Sequence, residues 1–192
     1  NVATGEIIAG SFNFVTFTSS GTFTVPAYVY KLKVTLIGGG AGGISWNPSI
    51  AAGSLQNTGG GGGAGAIKVI SVTPGNSYSI TIGPASTVAG NQSVFSGFGT
   101  NIVCNGGALA FYNGSGSGSY TSGYGGTASG GDLNFNGSDA SGSGDGGIAP
   151  FIGSSGAIGR TASLNSGGGG GAGVTGFVSP GAGAAGLCII EY

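Results

Sequence analysis

The stretch that most restricts this chain is Lys31-Leu-Lys-Val-Thr-Leu-Ile-Gly-Gly-Gly-Ala-Gly-Gly43, where alternating polar and apolar residues stop against a block of glycine. The same junction recurs. Residues 59–63 are five glycines running into Ala66-Ile-Lys-Val-Ile-Ser-Val72, and the glycine blocks 167–171 and 181–186 precede Leu187-Cys-Ile-Ile-Glu-Tyr192. The alternating runs read as β-strands forming a frame. The glycine blocks read as a second kind of structure, held in place by that frame.

Glycine supplies 48 of the 192 residues and proline 6, a share that usually signals disorder. Disorder also requires low hydrophobicity and high charge. This chain has the reverse, with 5% charged and 9% aromatic residues. Ordering so much glycine costs roughly 0.5–1 kcal/mol per residue relative to alanine, so close approach of backbones must require it. Polyglycine segments in a polyproline-II-like conformation meet that requirement. They have no internal hydrogen bonds and must bond sideways to neighbours. Gly38, Gly39, Gly40, Gly59, Gly60, Gly61, Gly167, Gly168 and Gly169 are the scaffold positions on this reading. Collagen is excluded, because glycine holds no sustained register of three and proline is scarce.

The expected fold class is all-β, without significant helix: a small β-sandwich or sheet frame carrying packed glycine-rich segments. Strands are expected near 11–18, 22–37, 66–72, 77–82 and 187–192. Within the second, Thr22–Val25 reads as a short strand before Pro26, and over 28–37 Tyr28, Tyr30, Leu32, Val34 and Leu36 share one face, while Val29, Lys31, Lys33 and Thr35 share the other. Thr73-Pro-Gly-Asn76 reads as a hairpin connection between 66–72 and 77–82. Shorter strands are expected at 94–95 and 100–104. From 105 to 186 the chain is almost entirely Gly, Ser, Ala and Asn with isolated aromatics, and the last strand is expected to return to the frame. Residues 1–20 suit an attachment segment and 21–192 one glycine-rich domain.

The only basic residues are Lys31, Lys33, Lys68 and Arg160, too few for a phosphate-binding patch, so no nucleic-acid partner is expected. The longest apolar run, 182–190, is short and broken by glycine, so no membrane insertion is expected. Cys104 and Cys188 sit in apolar strand contexts and read as small buried thiols. With neither His nor Met, a soft-metal site is not expected, and no cofactor is.

Two motifs and one function class invite a chemical reading. Residues 38–43 satisfy G-x-G-x-x-G after a strand, but Ile44-Ser-Trp-Asn-Pro48 starts no helix and no acid follows at the ribose-binding distance. Asp132, Asn134 and Asn136 with Gly137 match the first half of a calcium loop. The twelfth position is Ser143, however, leaving Asp139 or Asp145 to substitute, and an Asx-rich turn is the simpler reading. Catalysis is not expected, since a serine would lack a histidine base and the acids Asp132, Asp139 and Asp145 have no fixed spacing.

Gly21-Thr-Phe-Thr-Val-Pro26 and then 31–40, 59–75, 78–83 and 183–192 carry a family resemblance. Together they resemble the glycine-rich distal domains of bacteriophage tail fibres, over nearly the whole chain from about Ser19. The design is also similar to the tail-tip adhesins of T-even-type phages, in which glycine-rich motifs stack as polyglycine-II helices and the loops between them touch the bacterial receptor. The resemblance implies a virion protein at the far end of a tail fibre. Its implied partners are the rest of the fibre, a possible homotrimer, and a bacterial surface protein or glycan.

Recognition is then expected on segments between glycine blocks, because rigid scaffolds carry function on their loops. Trp46 and Asn47 lie in one such segment, and Tyr112, Asn113, Tyr120 and Tyr124 in another. Tyr with Ser, Gly and Asn is the mixture that antibody loops use. The competing use of these aromatics is to fill gaps in a glycine-poor core. Two further classes fit parts of the chain: an ice-binding or other structural glycine-rich polyproline-II protein, and a calcium-stiffened adhesin. A silk-like protein would need tandem repeats, which are absent.

Overall fold

In the computed structural model, which describes residues 13–46, 58–113, 119–141, 144–151, 154–174 and 179–192, the alternation around Lys31 sorts side chains as a strand should. Leu32, Val34 and Leu36 are buried, while Lys31 and Lys33 face solvent. Fourteen strands form among the described residues, and no helix does. They are β1 (Phe14–Phe17), β2 (Gly21–Thr24), β3 (Lys31–Ile37), β4 (Ser45–Trp46), β5 (Gly65–Ser71), β6 (Ser77–Thr81) and β7 (Ser93–Ser96). After these come β8 (Ile102–Cys104), β9 (Phe111–Asn113), β10 (Ser119–Thr121), β11 (Ala128–Ser129), β12 (Leu133–Phe135), β13 (Gly173–Val174) and β14 (Leu187–Glu191).

Ten of these strands build two antiparallel five-stranded sheets, in the orders β1-β14-β3-β5-β12 and β11-β8-β7-β6-β2. Their facing sides share one core containing Phe23, Leu32, Val34, Leu36, Ile80, Phe95, Ile102, Cys188 and Ile190. The frame is therefore a small sandwich, and the closing strand β14 lies between β1 and β3. Asn13 and Tyr192 exchange backbone hydrogen bonds of 3.0 and 2.9 Å at its base. β1, inside the stretch read as an attachment segment, is thus an edge strand of the frame.

Two local expectations are corrected. Tyr28 and Tyr30 do not belong to the alternating strand: Pro26 ends the first short strand as expected, but β3 begins only at Lys31, in the other sheet, after a turn in which Tyr28 takes φ 67. Tyr28 and Tyr30 consequently stand 89% and 62% exposed instead of sharing the core face of Leu32. Nor do β5 and β6 form a hairpin. The turn at 73–76 exists, with Asn76 N–H donating to the Thr73 carbonyl at 3.1 Å. It docks on Val25, however, and carries the chain from one sheet to the other. The burial of Val72 and Tyr78 between the sheets explains this crossing, and Tyr78 stacks on Phe95 at 5.5 Å.

Above the sandwich the glycine blocks continue the strands as extended segments whose hydrogen bonds rotate from neighbour to neighbour. In 38–43, Gly38 and Ala41 donate to Ala64 and Gly61, Gly39 and Gly42 to Asn91 and Val88, and Gly40 and Gly43 to Ala184 and Gly181. The bonding direction repeats every third residue, the period of a polyproline-II helix. The central segment, 59–64, exchanges bonds with six stretches: 38–41, 105–108, 123–126, 138, 147 and 167–170. Its glycines have no left-handed φ, so what they provide is space. A Cβ on Gly62 would lie 2.5 Å from the Ile148 carbonyl oxygen, and one on Gly38 would lie 2.5 Å from that of Asn105. Ala41 and Ala64, both fully buried, occupy places where one methyl fits. This lateral bonding answers the question of where the backbone groups of so much irregular chain are satisfied.

A candidate recognition end

The direction of each segment decides where its loops emerge. β3 and 38–43 run away from the base, while 59–64 and 181–186 run back antiparallel to 38–43. Segment 105–108 runs away and 123–126 returns, and 167–172 also runs away, antiparallel to 59–64. Residues 44–46, 58, 109–113, 119–122 and 173–174 therefore lie at one end of the lattice, opposite Asn13 and Tyr192. The turns at 141–144 and 157–160 reach the same level, beside Gly59 and Ala172.

Two short ladders crown this end. β4 pairs in parallel with β13, which sets Trp46 beside Val174. β9 pairs antiparallel with β10, so Tyr112 stands opposite Tyr120 and Asn113 opposite Ser119. Asn47 lies outside the described residues. Tyr124 is placed differently from the others: it belongs to the returning lattice segment, where its carbonyl accepts Ala108 N–H at 2.7 Å, and its side chain is about half exposed on the wall. Between 105 and 186, where the sequence shows isolated aromatics amid Gly, Ser, Ala and Asn, five short strands form among the described residues, β9 to β13.

Sequence reasoning passed over Val174 as a partner for Trp46; the only signal was an apolar residue directly after a glycine block. It also passed over Arg160, exposed on the turn beside Ala172.

The calcium-like stretch lies elsewhere, on β12 and at its start. Asp132 Oδ2 accepts Val69 N–H at 2.9 Å, and Oδ1 lies 3.4 Å from Lys68 Nζ. The Val69 hydrogen bond, followed by the nearby Lys68 charge, holds the Asp132 carboxyl below its ordinary value. Asn134 bonds both the N–H and the carbonyl of Gly131. These oxygens thus close a strand turn, and the described residues contain no group of three His, Cys, Asp or Glu side chains suited to a metal.

Cys104 and Cys188 are buried free thiols between the sheets, and burial pushes each up to about 12. Cys104 Sγ–H donates to the Leu36 carbonyl at 3.3 Å. Both therefore act as small apolar groups.

No protein-family model matches this sequence, and no curated protein matches it significantly.

Proposed function

We propose that this chain is the receptor-binding domain at the tip of a bacteriophage tail fibre, a non-catalytic adhesin that contacts a bacterial surface protein or glycan. The observation that carries the reading is the separation of ends. A laterally bonded lattice carries the ladders β4–β13 and β9–β10 at one end, while Asn13 and Tyr192 pair at the other. Rigid scaffolds with grouped loops are how proteins vary a binding surface without disturbing a fold. The family resemblance of the strand–glycine junctions supports the same reading. On it, residues 1–20 lead to the rest of the fibre, as a single tip protein or a homotrimer, and Trp46, Asn47, Tyr112, Asn113 and Tyr120 face the host.

The test is adsorption. Purified protein should compete with the phage for host cells, and Trp46→Ala or Tyr120→Ala should weaken competition while leaving the thermal unfolding curve in place. Wild-type competition by both variants would remove these ladders from the site. An ice-binding role draws on the same period-three lattice. Thermal hysteresis at micromolar protein would favour it over attachment.

A further inference from the structure

The two outer faces of the sandwich differ in kind. On the sheet β11-β8-β7-β6-β2, the residues alternating with buried Phe23, Tyr78 and Ile80 are Thr22, Thr24, Ser77, Ser79 and Thr81, all exposed. That is an ordinary solvated face. On the sheet β1-β14-β3-β5-β12, the face turned away from Leu32, Val34 and Leu36 is largely apolar. Phe14, Val69 and Leu133 stand more than half exposed there, with Ile67 and Ile189 half-buried between them. Phe135 extends the patch. Its ring meets that of Phe151 edge-on at 5.1 Å, and the Phe151 ring lies against Gly65. Phe151 holds this position at φ 74, which bulky residues rarely adopt, and both rings remain partly exposed. Backbone strain kept for a contact still open to solvent marks a surface that something else completes.

The charges on this face select the partner. Lys33 and Glu191 are cross-strand neighbours paired at 2.8 Å, and Lys31 lies at the base rim. A partner of one sign would have to compete with that pair. A copy of the same face matches it. β3 is the third of the five strands, so a two-fold axis running along β3 sets each Lys33 between its own Glu191 and that of the other copy. Apolar, self-complementary surfaces are what two-fold contacts require. The same axis leaves both ladder-bearing ends pointing one way.

We propose that two copies of this chain pack sheet on sheet through the outer face of β1-β14-β3-β5-β12. The proposal stands whether or not the far end binds a receptor. Five strands about 4.8 Å apart, with the seven residues of β3 at the centre, give each copy a contact on the order of 500 Å². That is the low end for a specific interface, so dissociation in the micromolar range is expected.

The experiment is sedimentation velocity of the full chain from about 1 to 300 μM, with the unfolding midpoint of each variant checked. The wild type should pass from one chain to two. Leu133→Arg and Phe14→Arg should each weaken association by about tenfold or more, because a buried charge would lack a partner. Ser79→Arg, on the solvated face, should leave it unchanged. Lys33→Glu brings carboxylates together at the axis, and Glu191→Lys brings ammonium groups together, so each variant alone should stay single. Mixed, the two should form a one-to-one complex. A wild type that remains one chain overturns the proposal and leaves the face to a different protein. A three-chain species, a dimer broken by Ser79→Arg but not by Leu133→Arg, or no complex in the mixture overturns it as well.

Discussion

The carbonyl oxygen of Tyr124 fills the place that a Cβ on Gly61 would take. The neighbour is backbone, held in turn by the Ala108 N–H, so it cannot rotate aside as a side chain would. Gly61→Ala should therefore cost about 3 kcal/mol or more in urea unfolding, at or beyond the upper range of overpacking. Gly75 is the control, at φ 85 with open space around it, where alanine meets only backbone strain of about 1–2 kcal/mol. Equal losses at both positions would mean that the lattice is looser than described.

Hydrogen exchange gives a second check. The N–H groups of Gly60, Gly61, Gly62 and Gly63 each donate to a carbonyl of another segment. They should exchange as slowly as those of Val34 or Ile190 in the sandwich, although they belong to no strand. Exchange at the rate of an open loop would contradict the bonding.

Asp132 links stability to acid. Its folded carboxyl titrates below the ordinary 3.8, chiefly through the Val69 N–H. Its contribution is therefore present above pH 3.8 and disappears as pH falls through the depressed native value. The midpoint difference between wild type and Asp132→Ala should be visible at neutral pH and shrink in acid. A difference that grows in acid would reverse the assignment.

The thiols act at the other extreme. Well below pH 9.0 both are neutral whether the chain is folded or not. Between 9.0 and about 12 the unfolded chain loses thiol protons that the native chain keeps, so stability falls as pH rises. Cys104→Ala with Cys188→Ala should flatten that decline. At pH 8 a thiol reagent should label the native protein only as fast as it unfolds. Immediate labelling would place a thiol at the surface.

Much of this was legible because two periods are written into the chain. Alternation at 31–37 reports a strand with one buried face, and Ile80, Ile190 and the two thiols follow from the same pattern. The glycine blocks report close backbones, because no other residue leaves a carbonyl that near. Sheet membership was not legible. Nothing local tells Thr73-Pro-Gly-Asn76 whether to fold back on β5 or to cross, since that depends on Val25 arriving from another strand to receive the turn. Tyr28 kept the alternation of its neighbours yet left the strand, because Pro26 ended β2 and forced a turn. At the far end, the pairing of Tyr112 with Tyr120 is set by two lattice segments that bring β9 and β10 side by side, information held well away from either tyrosine.

The six-neighbour bonding of 59–64 also bears on mechanical load. If the base is tethered and the crown is seized, a pull runs along the axes of the segments, while their hydrogen bonds lie across it. No single row can then peel open first. The rungs around the central segment are sheared together, so a strand of little more than bare backbone would resist being drawn out as a cable of many cross-tied filaments does.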